Sequence, residues 1–357
     1  MQHQPAIWRR CAIPLIIGLL YLAPSAFAQL SGSYTIGSGG NYASFTAAVT
    51  ALTTSGVSGP VTFSVLSGTY NEQITIPAIT GASATNTITF DGGTGNAATR
   101  VLTYTATTAY SPTVTLNGAD YLIFKNLTIR AASPTYGQGV LFTNSADYNE
   151  ISNCVIEVSP TTTDNEVVGI LACSTTSYSA TGDYGNYNLI KDNTITGGYY
   201  GIRWNGSATT DYTTAVGNQF TGNTLTERYY YGMYLYYIGG SLVVSRNNAV
   251  QRTSGTSITT SSGYAYYIYY PNNGPVISYN YGWARMSPFY IYRPNNAQAS
   301  TSNRAKVFNN MGVADGTGTV YALYVSYARY TDVVYNSVQA RNTTGTGYGI
   351  YTYGEST

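Results

Sequence analysis

The sequence predicts an all-β chain wound into a parallel β-solenoid, with one short capping helix near its N-terminus. Three observations carry the prediction. A five-residue pattern, a small residue followed by apolar, aromatic, apolar and aromatic residues, stands at Gly232-Met233-Tyr234-Leu235-Tyr236. It recurs at Gly201-Ile202-Arg203-Trp204, Ala265-Tyr266-Tyr267-Ile268-Tyr269, Pro288-Phe289-Tyr290-Ile291-Tyr292, Ala322-Leu323-Tyr324-Val325 and Gly349-Ile350-Tyr351-Thr352-Tyr353. Plainer copies stand upstream at Gly139-Val140-Leu141-Phe142 and Gly169-Ile170-Leu171-Ala172. The copies alternate with period two, the signature of a strand with one buried face, since successive side chains point to opposite sides of a sheet. They recur roughly every 20 to 35 residues, and the Gly, Ser, Thr and Asn-rich intervals leave most gaps too short for a helix, so each copy reads as one strand of one coil.

The alternation sorts the side chains. Ile202, Met233, Phe289, Leu323 and Ile350, with Leu235, Ile268, Ile291 and Val325, are expected inside. Tyr234, Tyr267, Tyr290, Tyr324 and Tyr351 fall in one column on the outer face, and Tyr236, Tyr269, Tyr292 and Tyr353 in a second. Neighbouring parallel strands lie ~4.8 Å apart, so the rings are expected to form two stacked ladders.

Residues 1–28 read as a secretory signal. Arg9 and Arg10 supply the positive start, Ala12 to Leu22 the apolar segment, and Ala26-Phe27-Ala28 the cleavage site. The apolar run is shorter than the ~20 residues a span needs, so the mature chain is expected without a membrane span and outside the cell, secreted or on the cell surface. Residues 29–110 are expected to form the cap and the first strands. Phe45, Ala48, Val49 and Leu52 make one helical stripe, with Ser44 as N-cap and Gly56 as terminator. Strands follow at Val61 to Leu66, Gln73 to Ile76 and Thr87 to Phe90, and a helix over the open end would hide core and unpaired strand edge.

Residues 111–357 carry the repeats, about eight recognisable coils. A second strand precedes the tyrosine strand in most of them: Asn126-Leu127-Thr128-Ile129, Asn153-Cys154-Val155-Ile156, Asp192-Asn193-Thr194-Ile195, Gly222-Asn223-Thr224-Leu225 and Asn247-Asn248-Ala249-Val250. Weaker versions lie near Asn280, Asn310 and Asn336. Asparagine tolerates the left-handed conformation of a corner, and its amide can bond its equivalent in the next coil. The chain stops at Thr357 directly after a strand, so it is expected either to continue or to be covered there by another chain.

Composition sets the available chemistry. Charged residues are 9% of the chain and the formal net charge is +1, so neither a basic surface for nucleic acid nor an acidic tail is expected. The one histidine, His3, lies in the signal with Cys11, which leaves no imidazole for a general base, a triad or a zinc site. No metal and no cofactor are expected. Cys154 and Cys173 remain, about one coil apart. A disulfide needs Cα atoms within ~7 Å, and pairing and separate thiols stay equally open. Tyrosine, at 38 residues, is as common as glycine.

The run from Asn41 to Val49, then Ser67 to Ile76, then Asn126 to Ile129, resembles the opening of the pectinesterase branch of the right-handed parallel β-helix (pectin-lyase-like) superfamily. Later coils resemble the repeats of secreted bacterial β-helix proteins. The resemblance covers about residues 33 to 156 as motifs and the remainder as a style of repeat, and it implies the right-handed coil. Gln138 to Phe142 resembles the segment of the family's first active-site glutamine. Where the family then carries a Gln-Asp pair, the chain has Pro160 and Thr161, and the strand of the second catalytic aspartate is matched by Val168-Gly169-Ile170. Ester hydrolysis of that type needs both carboxylates. The resemblance therefore implies the fold without that activity, and Gln138 is expected as a polar turn residue.

Other chemistries on this fold need other groupings. Inverting glycoside hydrolysis needs paired carboxylates, and a pectate-lyase-like site needs acids for calcium beside a basic residue; calcium is expected only under that reading. Its candidates are Asp183, Lys191, Asp192 and Arg203, with Asp211 near them, against the plainer reading of a solvated charge group. The tyrosines point elsewhere, because a flat ring with a hydroxyl suits sugar rings and their hydroxyls. The expected function is a non-catalytic extracellular module that binds polysaccharide or cell-surface glycan, or mediates adhesion, through Tyr234, Tyr236, Tyr267, Tyr269, Tyr290, Tyr292, Tyr324, Tyr351 and Tyr353. A polysaccharide lyase or hydrolase is the alternative. Two further readings of the stripe are plain strand preference and self-association through the tyrosine face.

Overall fold

A computed structural model describes residues 28–107, 111–133, 135–174, 179–182, 184–207, 214–254, 261–295, 300–342 and 344–354. Residues 1–27 of the expected signal, with Asp183 and Asp211, lie outside the described residues. The chain is a parallel β-solenoid of three sheets with eleven, ten and ten strands, in which each strand pairs with its equivalents one coil before and one coil after. The first sheet runs from Leu30–Ile36 to Thr331–Val334, the second from Gly68–Asn71 to Ser337–Asn342, and the third, here the tyrosine sheet, from Ile74–Pro77 to Gly347–Gly354. Ile74–Pro77 and Pro112–Asn117 extend the eight copies seen in the sequence to the ten strands of that sheet.

The N-terminal end forms as the apolar stripe requires. Helix α1 (Phe45–Ser55) buries Phe45, Ala48, Val49 and Leu52, starts at Ser44, whose hydroxyl accepts from the Ala47 N–H at 3.1 Å, and stops at Gly56, whose φ of 66° suits glycine. A carboxylate one coil away completes the start: Glu72 accepts from the N–H of Phe45 at 3.1 Å and of Thr46 at 2.8 Å, at the positive end of the helix dipole. Leu30–Ile36, a strand the sequence did not indicate, lies before the helix and pairs in parallel with Val57–Val65. Inside this end Phe63, Phe90 and Phe124 stack at 5.0 and 4.7 Å, one per coil of the first sheet.

The inner face of the tyrosine sheet is as the alternation predicts. Ile202, Met233, Phe289, Leu323, Leu235, Ile268, Ile291 and Val325 are fully buried, and so are Tyr266 and Trp204, which take the same inward positions. The small leading residues are a steric demand of the coil: a Cβ on Gly201 would lie 2.8 Å from the carbonyl oxygen of Gly232 in the next coil and 2.6 Å from Leu225. Ile350 departs from the expectation. Its coil has no following strand among the described residues, and the side chain is 52% exposed.

The asparagine ladder is also redistributed. Two successive positions divide the work that one was expected to do. Asn126, Asn153, Asp192 and Asn309 hold the left-handed corner, with φ between 51 and 58°, and Gly222, Arg246, Tyr279 and Tyr335 stand at the same place in their coils. The next residue makes the ladder. Asn193, Asn223, Asn247, Asn280 and Asn310 each donate a backbone N–H and an amide N–H to the side-chain oxygen of the asparagine one coil on, at 2.9 to 3.1 Å, ending on Asn336. Cys154 takes this position earlier and donates its N–H to Asn193. The strand read as Asn247 to Val250 is therefore one residue out of register, since Ala249, not Val250, pairs with Leu225 and turns inward. Cys154 and Cys173 are both buried and no disulfide joins them, which decides the pairing left open in the sequence.

Candidate functional site

The outer face of the tyrosine sheet carries three columns. Each arises because one register position holds tyrosine in coil after coil. In the central column Tyr234, Tyr267, Tyr290, Tyr324 and Tyr351 follow one another at 5.0, 4.7, 4.5 and 5.2 Å between ring centroids, with planes parallel to within 2, 2, 3 and 6°. A second column, Tyr236, Tyr269 and Tyr292, stacks at 5.1 and 4.6 Å. It is shorter than the sequence implied, because Ser326 occupies the next place and Tyr353, in register with that serine, meets the Tyr327 ring edge-on at 5.1 Å instead of stacking in the column. The sequence reading missed the column on the other side. Tyr200, Tyr231 and Tyr264 stack at 5.0 and 5.4 Å, and Tyr321 and Tyr348 at 5.0 Å, one residue ahead of the small residue that opened the repeat pattern.

The columns interlock edge to face. Tyr231 stands at 81° to Tyr234 and 79° to Tyr267, and Tyr264 at 79° to Tyr267 and 77° to Tyr290. Ring faces are thus occupied by neighbouring rings, an arrangement favoured by the aromatic quadrupole. Side chains stand roughly perpendicular to a sheet, so in the central and second columns the hydroxyl at the tip of each ring is the part turned outward, whereas Tyr200 and Tyr264 of the other column are buried and the Tyr264 hydroxyl donates to Met286 Sδ at 3.0 Å. This changes how the face can meet a partner. Its rings offer edges and hydroxyls, whereas the sequence reading supposed open ring faces.

Arginines close the array. Arg203 takes the central-column position one coil before Tyr234, with its guanidinium 4.3 Å from the Tyr234 ring centroid and 4.8 Å from that of Tyr200. Arg293, left-handed at φ 51°, follows Tyr292 and lies 5.5 Å from Tyr270 and 4.9 Å from Tyr327. Guanidinium over a ring face is a favourable cation–π contact. Burial, and then the neighbouring phenols, push the hydroxyls of Tyr231, Tyr264, Tyr267, Tyr269 and Tyr290 above the ordinary tyrosine range, so they remain neutral donors.

Two described members of the candidate charged group, Lys191 and Arg203, lie on different sheets. Lys191 ends a strand of the first sheet and lies 3.7 Å from the carboxylate of its neighbour Asp192, both about half exposed, while Arg203 is buried on the tyrosine sheet. Gln138 is not a turn residue: it opens the strand Gln138–Thr143, pairs with Pro112 and Val168, and is fully buried. Pro160 and Thr161, which stand where the resembled family has its Gln-Asp pair, line a cleft of about 440 Å³ with Arg130, Ser133, Glu157 and Thr196. Its carboxylate, Glu157, is ion-paired with Arg130 at 2.5 Å. Among the described residues no three Asp, Glu, His or Cys side chains come together as a metal site would require.

By its coils and sheets the chain has a parallel β-helix fold, which it shares with solved structures of low sequence identity. An alginate lyase from Paenibacillus sp. str. FPU-7 superposes with a TM-score of 0.50 at 14% sequence identity, over 86% of this chain and 96% of the lyase. The pectate lyase Pel9A superposes with a TM-score of 0.50 at 14% identity, over 87% of this chain and 80% of that enzyme. No protein-family model and no curated protein matches the sequence.

Proposed function

We propose that the protein is an exported polysaccharide-binding β-helix whose binding surface is the outer face of the tyrosine sheet. The observation that carries the reading is the register of the tyrosine columns: the central one runs unbroken from Tyr234 to Tyr351, one ring per coil, with the other two beside it over part of that length, which suits a partner that is itself long and repetitive. Both superposed structures are enzymes named for polysaccharides, which supports that class of partner. No helix among the described residues is long and apolar enough to cross a membrane, and the expected signal at residues 1–28 fits an extracellular setting.

The test is binding of the chain from Gln29 onward to a glycan array, followed by tyrosine fluorescence with and without calcium. Saturable binding to one polymer class is expected, independent of calcium. No binding anywhere on the array would overturn the proposal. The names of the superposed lyases favour a second reading, an enzyme on the same surface or in the Glu157 cleft. Incubation with alginate and polygalacturonate decides it, since release of unsaturated oligosaccharides would establish a lyase and an intact polymer would oppose one.

A further inference from the structure

We infer that the partner is a neutral, hydroxyl-rich polysaccharide in an ordered, packed form, met as a surface rather than as a single dissolved chain; the inference rests on the proposed polysaccharide reading. The first ground is charge. The six tyrosine-bearing strands, Tyr200–Asn205, Tyr231–Tyr236, Tyr264–Tyr269, Ser287–Tyr292, Val320–Ala328 and Gly347–Gly354, contain a single charged residue, Arg203. Arg293 follows the fourth of them, and both guanidiniums lie against rings. At the edge of the sheet, Arg252 and Arg285 donate to the carbonyls of Pro160 and Asp315 at 2.6 and 2.9 Å. On the face itself a polyanion with one charge per sugar would meet only Arg203 and Arg293 over the six strands, with their guanidiniums already against rings. A neutral polymer loses nothing by that match, and neither attracts nor repels the face.

The second ground is shape. Hydroxyls recur along the solenoid at the ring spacing of 4.5 to 5.2 Å, and the neighbouring column lies 5.7 Å away between Tyr234 and Tyr236 and 6.1 Å between Tyr267 and Tyr269. This is a two-dimensional grid on one side of a sheet. A single chain lying along one column would leave the hydroxyls of the others to water. A layer of aligned chains engages them all at once, so many weak contacts add within one binding event. The grid is preorganised, since each ring is held between its neighbours and little side-chain entropy remains to be lost.

The experiment is retention of the chain from Gln29 onward on particles of crystalline cellulose, crystalline chitin and granular starch, compared with soluble oligosaccharides of the same sugars and with polygalacturonate gel. Retention on at least one ordered neutral glycan is expected, at least tenfold tighter than for its soluble oligosaccharides and unchanged by half-molar salt. Equal affinity for the soluble form, or tightest binding to polygalacturonate with loss in salt, would overturn the inference and leave the polysaccharide reading standing. Binding to none of these, nor to anything on the glycan array, would overturn both.

Discussion

At Tyr267 and Tyr290 the ring is held on both faces by other rings, and at Tyr234 by Tyr267 on one face and the Arg203 guanidinium on the other, so the atom a partner can reach is the hydroxyl, the one atom that separates tyrosine from phenylalanine. The choice of residue therefore has to be explained by that atom, because stacking alone would accept phenylalanine. The asparagine ladder sets the complementary case of a residue chosen for the fold. In Asn247→Ala the buried carbonyl of Phe220 and the N–H of Asn223 lose their partners, and the chain is expected to lose about 2 to 4 kcal/mol by urea unfolding. Asn153→Ala, at an exposed left-handed corner, is expected to cost about 1 kcal/mol. Equal losses would contradict the division of labour between the two positions. Asparagine's two uses were legible in the sequence, but not their assignment to adjacent residues, because Asn takes the corner in some coils and the ladder in others and only the backbone torsions separate them.

Among the elements, the tyrosine columns are the most consequential. The phenols of Tyr231, Tyr267 and Tyr290 have folded-state pKa values raised above the ordinary tyrosine value of 10.0, so the folded chain holds protons that the unfolded chain releases. The sign follows from proton counts: these phenols favour the fold fully below about pH 10, and the contribution is lost as the pH climbs toward their raised values. Tyrosinate absorbance and circular dichroism, followed together against pH, are expected to show these three phenols ionising only as the sheet unfolds, in one cooperative step above pH 10. A gradual ionisation with intact dichroism would contradict it. The two predicted columns could be read from period two, since they sit at alternate positions of the repeat. The third, from Tyr200 to Tyr264, sits just before the small residue, where the pattern was taken to begin, and a pattern that starts one residue late discards it. Helix α1 was fully legible because cap, stripe and stop are all local; Glu72, which completes its cap from 26 residues away, was not.

For the whole molecule, the coil makes the site. A fold whose every coil repeats one register turns a short sequence pattern into an extended grid, and gives the same chain a face with almost no charge although its total of charged groups is near balance. Fold class was open to the sequence for this reason, since a repeat states its own geometry. What the rings present was not, because ring orientation depends on contacts between coils: parallel stacking within columns and perpendicular packing between them replace the open faces that composition suggests. The most direct measurement is the affinity of the triple variant Tyr234→Phe, Tyr267→Phe, Tyr290→Phe for the glycan that the wild-type chain retains. A loss of at least tenfold, with the unfolding midpoint in urea essentially unchanged, is the predicted result. Unchanged affinity in that variant and in the corresponding triple alanine variant would contradict the tyrosine face as the binding surface.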